Sequence, residues 1–180
     1  MNDILIQKLK KIKLIISDVD GVLTDGSIYI GSNGEEMKKF SVEDGAGVAL
    51  ARASGLIIAL LSGRFSSATD IRAKELKIED IYNGMLNKIP AYEELKRKYN
   101  LEDSEIVYIG DGLIDIPVME KAGIPVSVKN AHPTAKKTAV YVTDKSGGSG
   151  ALQETIELVL KAQNQYDNAI NKMREKVLNL

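Results

Sequence analysis

The sequence predicts an α/β protein in which a parallel β-sheet carries helices on both faces. Short runs rich in isoleucine and valine recur along the chain without polar alternation, which is typical of strands buried on both faces. Longer helical patterns separate these runs, and the repetition of strand and helix favours parallel pairing. A ligand site is then expected at the carboxyl ends of the strands. With 180 residues, the chain fits a single domain over residues 1–180.

The predicted elements follow these patterns along the chain. The strands are expected at Leu14–Ile16, Leu56–Leu61, Asp80–Tyr82, Ile106–Ile109, Ile124–Val128 and Val140–Val142. The helices between them are expected at Gly45–Ser54, Ser66–Leu76, Lys88–Tyr99 and Ile114–Lys121.

One segment departs from the alternation of strands and helices. Ser27–Ile30 and Met37–Phe40 flank the loop Gly31–Gly34, whose Gly and Asn residues are typical of a hairpin turn. The sequence therefore predicts a β-hairpin insert over residues 27–40, directly after the first strand. This insert is too small to cover a ligand as a lid.

Residues 151–180 are predicted to form a helical tail with one apolar stripe. The stripe follows alternating spacings of three and four residues, and Gln163 is its one polar interruption. Its members are Leu152, Ile156, Val159, Tyr166, Ile170, Met173, Val177 and Leu180. Because the stripe extends past the strand–helix region, its later part is expected to pack against another subunit. Gly147–Gly150, just before the tail, is expected to be a flexible loop that lets the tail approach a neighbouring active site.

Composition and charge exclude several classes of protein. The chain has no cysteine, which excludes a thiol nucleophile and a cysteine-ligated zinc site and fits a reducing cytoplasm. Lysine and arginine total 24 against 25 aspartates and glutamates, so no global basic field can hold nucleic acid. No run approaches the roughly 18 apolar residues that a membrane-spanning helix needs. We therefore expect a cytoplasmic protein with neither a nucleic-acid nor a membrane partner.

Carboxylates follow two of the predicted strands. Asp18 and Asp20 end the first strand, and Asp111 follows Ile106–Ile109, with Asp115 four residues later. If these strands are neighbours, the carboxylates converge at one edge of the sheet. Two bare carboxylates 4 Å apart repel by ~1 kcal/mol in water and ~4 kcal/mol at an effective dielectric of 20. A divalent cation resolves this repulsion, and oxygen ligands favour Mg²⁺.

Two further polar residues complete the pattern. Ser62 follows the second strand and can donate a hydrogen bond to a phosphoryl oxygen. Lys88 precedes a helix and can neutralise both a carboxylate nucleophile and a phosphate, with Asp115 orienting this lysine or a water as a supporting group. This order of Asp, Ser, Lys and Asp at successive strand ends resembles the haloacid-dehalogenase-like (HAD) phosphohydrolase superfamily. The resemblance covers the chain from about Leu14 to Glu154.

The resemblance extends to one family within that superfamily. Besides the hairpin insert, the motifs that carry it are Ser41–Gly47, Ser62–Arg64, Arg72–Leu76, Asn130–Pro133 and Gly147–Ala151. These are similar to the 3-deoxy-D-manno-octulosonate 8-phosphate (KDO 8-phosphate) phosphatases. The resemblance implies a capless HAD-like phosphatase that forms a tetramer, uses Mg²⁺ and serves lipopolysaccharide synthesis.

The resemblance also implies roles for individual residues. It implies a nucleophile at Asp18, which would pass through an aspartyl-phosphate, and a general acid/base at Asp20. Magnesium would be held by Asp18, by the backbone carbonyl of Asp20, and by Asp111. Substrate contacts would fall on Ser41, Val42, Glu43, Asp44, Gly45, Arg64, Arg72 and Lys88.

The chain departs from the family at Ala49, Ser149 and Gln153, where some members carry arginine, and at Gly112, which replaces the second Asp of a common Gly-Asp-Asp. Three alternatives therefore stay open. A phosphatase of this kind can act on a sialic-acid-like nonulosonate 9-phosphate instead. A signalling receiver domain also accepts phosphate on an aspartate, but its phosphoacceptor lies on a central strand rather than in a pair ending the first strand. A non-catalytic assembly module of the same fold should lack a catalytic residue, and none is missing here.

Overall fold

The computed structural model describes residues 3–178, apart from the side chain of residue 177. Six parallel strands form the main sheet, and two antiparallel strands form the separate hairpin. In chain order the strands are β1 Leu14–Ser17, β2 Tyr29–Ile30, β3 Glu36–Met37, β4 Ile57–Ser62, β5 Asp80–Asn83, β6 Ile106–Gly110, β7 Ile124–Ser127 and β8 Tyr141–Val142. The order across the sheet is β5-β4-β1-β6-β7-β8. The parallel α/β sheet predicted from the sequence is confirmed.

Helices precede, connect and follow these strands. They are α1 Asp3–Leu9, α2 Val42–Ser54, α3 Ser67–Leu76, α4 Ile89–Tyr99, α5 Ile116–Met119, α6 Pro133–Thr138, α7 Ala151–Ala162 and α8 Tyr166–Leu178. Right-handed crossovers place α2 and α3, which lead toward β5, on one face, and α4 to α6, which lead toward β8, on the other. The predicted helix Ile114–Lys121 is instead a 3₁₀ turn at Leu113–Asp115 followed by the short α5, and the sequence reasoning missed α1 and α6.

β1 lies at the centre of the sheet, and its position fixes the position of the site. All four of its residues are buried, and they pair in parallel with β4 on one side and β6 on the other. Ser17 lies opposite Leu60 of β4 and Ile109 of β6, so the three strands end at nearly the same level. Residues that follow these strands are therefore brought together at one edge.

The hairpin insert is confirmed, but its strands are only two residues long each. Gly34 has φ 81° in the turn, a left-handed conformation that glycine adopts without strain. The insert extends from the main sheet and returns at Phe40, which packs partly buried against the core.

The described part of the predicted helical tail is two helices, α7 and α8, rather than one. Asn164 has φ 56°, and the chain reverses there between α7 and α8. Gln163, the polar interruption of the stripe, donates hydrogen bonds from Nε2 to the backbone carbonyls of Leu9 and Ile12. These bonds hold the end of α7 against the chain just after α1.

The described part of the tail packs within its own chain, so the premise that its later part lacks a partner there is wrong, while packing of the tail on another subunit stays a prediction. Ala169 is 1% exposed, and Tyr166, Ile170 and Met173 pack against the core. Lys172 donates to the backbone carbonyl of Ala53, at the end of α2. Leu180 lies outside the described residues. Among residues 3–178, we find no helix long and apolar enough to cross a membrane.

Candidate active site

Three carboxylates meet at the carboxyl ends of β1 and β6. Asp18 follows β1, Asp111 follows β6, and Asp115 ends the 3₁₀ turn after β6. One oxygen from each lies within 4.8 Å of the others. The sequence prediction that these carboxylates converge is therefore confirmed.

Lys88 lies at the centre of this cluster. Its ammonium nitrogen Nζ is 2.8 Å from Asp18 Oδ1, 2.6 Å from Asp115 Oδ1 and 3.0 Å from the hydroxyl of Tyr108. Burial by itself would lower the pKa of Lys88, but the charges of Asp18 and Asp115 outweigh it and raise the pKa. The lysine therefore stays charged and holds one face of the Asp18 carboxylate.

Asp115 has its hydrogen-bonding capacity filled. Oδ1 accepts from Lys88 and, at 2.5 Å, from Tyr108, while Oδ2 accepts from the backbone N–H groups of Asp111 and Gly112 at 3.0 and 2.9 Å. The side chain is fully buried. This arrangement fits the predicted role of Asp115 in orienting Lys88, and the structure adds Tyr108, which the sequence reasoning missed.

The local charge balance fits a divalent cation. Burial raises the pKa of Asp18 to about 8 despite the opposing charge of Lys88, and Asp115 and Asp111 raise it further. Burial and the charge of Asp115 raise the pKa of Asp111 to about 6. With Asp20 and Lys38 included, four carboxylates face two ammonium groups, so two negative charges would be uncompensated if every carboxylate were ionised. One Mg²⁺ would balance them and keep Asp18 ionised.

The loop after β1 closes tightly around Asp111. Gly21 has φ +90°, and a Cβ at this position would lie 2.1 Å from Asp111 Oδ2. Only glycine leaves room for the carboxylate in the position that a metal site requires. This steric requirement explains the glycine that follows the Asp-x-Asp pair.

Asp20 lies beside the hairpin rather than against Lys88. Its two carboxylate oxygens are 2.7 and 2.9 Å from Nζ of Lys38, the residue that follows β3. The Lys38 side chain is 3% exposed, against 31% for Asp20. Sequence reasoning missed Lys38, because no local pattern shows where a side chain of the insert will point.

Ser62 lies at the end of β4, as predicted. It is 1% exposed, and its hydroxyl donates to the backbone carbonyl of Arg64 at 2.7 Å. This bond shapes the turn after β4. Its contact with a phosphoryl oxygen stays a prediction.

The predicted cationic residues have partners within the chain. Arg64 forms an ion pair with Glu36 of the hairpin, and 43% of its side chain is exposed. Arg72 donates to the backbone carbonyl of Ser41 at 3.0 Å and pairs with Glu75 at 2.8 Å. Lys88 is buried inside the cluster. Arg64 is thus the one most open to a ligand, and the substrate roles of all three stay predictions.

The predicted substrate-contact segment Ser41–Gly45 forms the start of α2. The Ser41 hydroxyl caps this helix by accepting from the Glu43 backbone N–H at 3.1 Å, and Val42 is 83% exposed. Glu43 pairs with Lys145 at 2.7 Å. The segment stays a candidate for substrate contact at its exposed positions.

Asp44 belongs to the predicted substrate-contact segment, but its side chain is buried against α7. It is 1% exposed and accepts a hydrogen bond from the backbone N–H of Gln153, in the first turn of α7. Burial raises the pKa of Asp44 to about 6, although hydrogen bonds from the backbone of Gln153, Gly150 and Leu152 act to lower it. Gly47, one turn later, brings α2 close to α7, because a Cβ there would lie 2.7 Å from the Cα of Gln153.

Gly147–Gly150 packs on the loop that follows β1. A Cβ at Gly147 would lie 1.8 Å from the carbonyl oxygen of Gly21, and the Gly148 N–H donates to the carbonyl of Val22 at 2.9 Å. The expectation of a loose loop is therefore corrected, because the segment packs on the loop after β1, while the approach of the tail to a neighbouring active site stays a prediction.

Comparison with known proteins places this geometry in a family. A model of haloacid dehalogenase-like hydrolases matches residues 56–154. The 3-deoxy-D-manno-octulosonate 8-phosphate phosphatase KdsC of Escherichia coli is 44% identical over 164 residues, which cover 91% of this chain and 87% of that protein. The chain belongs to the KDO 8-phosphate phosphatase family of HAD-like hydrolases.

Solved structures support the same assignment for this HAD-like phosphatase. The KDO 8-phosphate phosphatase of Moraxella catarrhalis, in complex with a magnesium ion, a phosphate ion and KDO, has a TM-score of 0.92 and 42% identity, covering 96% of this chain and 99% of that chain. A HAD superfamily hydrolase from Legionella pneumophila has a TM-score of 0.94 and 40% identity, covering 96% of this chain and 95% of that chain. The HAD-like fold predicted from the sequence is confirmed.

Proposed function

We propose that this protein is a magnesium-dependent phosphatase that hydrolyses KDO 8-phosphate to KDO and inorganic phosphate in lipopolysaccharide synthesis. The observation that carries the proposal is the buried cluster in which Lys88 links Asp18 to Asp115 beside Asp111. This cluster lies in a chain that is 44% identical to a KDO 8-phosphate phosphatase over most of its length.

The first step transfers the phosphoryl group to Asp18. A carboxylate oxygen of Asp18 bonds to phosphorus while the bond from phosphorus to the sugar oxygen breaks. Asp20 gives its proton to the departing sugar oxygen, which leaves as the alcohol. Lys88 fixes the orientation of the attacking carboxylate, and Ser62 would turn its hydroxyl from the Arg64 carbonyl to a phosphoryl oxygen.

The second step releases phosphate. Asp20, now a carboxylate, takes a proton from a water molecule as the water oxygen bonds to phosphorus and the bond from phosphorus to Asp18 breaks. General acid–base catalysis of this kind contributes about 10²- to 10⁴-fold. Asp18, Asp111 and the backbone of Asp20 would hold Mg²⁺, which neutralises charge on the phosphoryl oxygens.

The substrate assignment depends on charges at the mouth of the site. KDO 8-phosphate carries a sugar carboxylate besides its phosphate, and Arg64 is the partly exposed cation that suits it. Because Glu36 pairs with Arg64, the substrate carboxylate would compete with Glu36 for the guanidinium group.

A phosphate-release assay tests the function. With Mg²⁺ present, kcat/KM for KDO 8-phosphate should exceed that for a nonulosonate 9-phosphate and for hexose phosphates. A preference for the nonulosonate would assign the protein to the alternative substrate. Absence of turnover on every phosphate monoester would favour the non-catalytic assembly module.

We also propose that the protein is a cytoplasmic tetramer whose hairpins meet. Large apolar side chains are exposed on the insert and around the site: Ile28 at 58%, Ile30 at 66%, Met37 at 56%, Phe65 at 65% and Leu86 at 72%. Association would cover them and help to exclude water from the aspartyl-phosphate. Sedimentation of the wild type and of Ile30→Glu tests this, with Ile4→Glu, at a position of α1 that is 66% exposed, as the control. An active wild-type monomer would contradict shared sites.

A further inference from the structure

Lys38 is an unusually buried lysine on an otherwise exposed insert. Its neighbour Met37 is 56% exposed and Lys39 is also exposed, yet the Lys38 side chain is 3% exposed. An ammonium group leaves water only when partners compensate for the lost hydration. The contacts of Lys38 therefore indicate what it does.

The contacts of Lys38 hold the side chain of Asp20, the proposed general acid and base. Nζ of Lys38 lies 2.7 Å from Oδ1 and 2.9 Å from Oδ2 of Asp20, and 3.3 Å from the hydroxyl oxygen of Thr69 in α3. Contact with both oxygens fixes rotation about the terminal bond of Asp20, which a single contact would leave free. Thr69, itself 1% exposed, gives the ammonium group a further acceptor.

Other charged groups around Lys38 do not replace Asp20 as its partner. Glu36 is the next acidic group, and its carboxylate oxygen lies 4.0 Å from Nζ. Glu36 is paired instead with Arg64. The bidentate contact with Asp20 is therefore the strong one, and the hairpin is tied to the site through it.

We propose that Lys38 is a positioning residue that holds the Asp20 carboxylate in the orientation in which it transfers protons. The inference rests on the proposed function, since it assigns Asp20 the proton transfers of both steps. Lys38 keeps its own protons throughout and contacts neither substrate nor phosphorus. The insert thereby acquires a second task besides subunit association, because it supplies a support for the catalytic acid and base.

Kinetics of Lys38→Met test the proposal, since methionine keeps most of the apolar stem and removes the charge. We expect kcat to fall by about 10- to 100-fold, which is a part of the roughly 10²- to 10⁴-fold that general acid–base catalysis contributes, while KM changes less than about twofold. Lys38→Arg should recover most of kcat, because a guanidinium can also contact both oxygens. Lys39→Met, the same change one residue away on an exposed side chain, is the control and should behave as wild type. A rise in KM with unchanged kcat would make Lys38 a substrate contact and overturn the proposal.

A double-mutant cycle with Asp20→Asn separates this proposal from the proposed function. If Lys38 acts through Asp20, Lys38→Met should cost no further activity in the Asp20→Asn background. A full additional loss there would overturn the proposal. The same four proteins are compared in urea unfolding, where the pair should show coupling of at least about threefold in the unfolding constant. Absence of that coupling overturns the proposal whatever the substrate. If the coupling is present but the wild type hydrolyses no phosphate monoester, the proposed function is rejected instead.

Discussion

The substitution Asp115→Asn tests whether the buried charge network holds the site together. Asp115 and Lys88 both have fully buried side chains, and each carboxylate oxygen of Asp115 accepts two hydrogen bonds. In either orientation, the new amide would turn its NH₂ group toward two donors. One orientation leaves Lys88 and Tyr108 without their acceptor, and the other leaves two backbone N–H groups unpaired.

The expected loss of unfolding free energy is about 3–5 kcal/mol. Removing one partner of a buried ion pair costs this much, and two donors that lose the Asp115 acceptor, at about 1–3 kcal/mol each, give a similar value. A domain of ordinary stability has about 5–15 kcal/mol in total, so the variant should unfold at much lower urea concentration.

Urea unfolding in a chelator, followed by far-UV circular dichroism, measures this loss without a contribution from bound metal. Circular dichroism is the suitable probe because the chain has no tryptophan. The exposed Asp144→Asn removes the same charge and should change stability by less than about 0.5 kcal/mol. A loss below about 1 kcal/mol for Asp115→Asn would refute the reasoning that Asp115 is an essential acceptor for four donors.

Four further perturbations have definite expected outcomes. Asp18→Asn should lower turnover by roughly 10⁴-fold or more with an unchanged dichroism spectrum, and normal turnover would contradict its role as nucleophile. Asp111→Asn should raise the Mg²⁺ concentration for half-maximal activity by at least about tenfold. An unchanged Mg²⁺ requirement would contradict its role as a metal ligand. The pKa of Asp44 is raised from 3.8 to about 6 in the folded chain. Its contribution to the free energy of unfolding is therefore fully present below pH 3.8 and is lost as the pH rises through about 6. The wild type should lose up to about 3 kcal/mol of unfolding free energy relative to Asp44→Asn in that window. A pH-independent difference would show that Asp44 ionises in the fold as it does in the unfolded chain. In a helix open to solvent, Gly→Ala stabilises the fold by about 1 kcal/mol. Gly47→Ala should instead destabilise the protein by about 1–3 kcal/mol, because its Cβ would lie 2.7 Å from the Cα of Gln153. A stabilised variant would contradict the close approach of α2 and α7.

The parts of the fold that the sequence predicts are those with a local signature. Buried strands show continuous aliphatic runs, and β1 and β6 were therefore found close to their true bounds, together with the carboxylates that follow them. The sequence alone does not predict that Asp111 lies near Asp18, because this depends on β1 and β6 being neighbours in the sheet. Parallel topology makes that adjacency reasonable but does not specify it.

The errors arose where the decisive contact is distant in sequence. The stripe in residues 151–180 keeps its helical phase through the break at Asn164, so periodicity alone predicts one helix. What ends α7 is the bonding of Gln163 to Leu9 and Ile12, some 150 residues earlier in the chain. Lys38 and Tyr108 were missed for the same reason, since each acquires its role from partners on other elements.

The order of strands in the sheet bears on how the protein acquires metal affinity during synthesis. Asp18 is made early, but its neighbour in the sheet, β6, spans Ile106–Gly110. A nascent chain that ends before β6 has the Asp-x-Asp loop without Asp111 or Asp115, and β1 still lacks one of its two partners. Such a fragment must wait for a pairing of long sequence separation, which is a slow event in folding. Magnesium affinity should therefore appear late and report that the centre of the sheet is complete. Ribosome-bound chains of increasing length would acquire protection by Mg²⁺ against proteolysis only after both halves of the sheet have emerged.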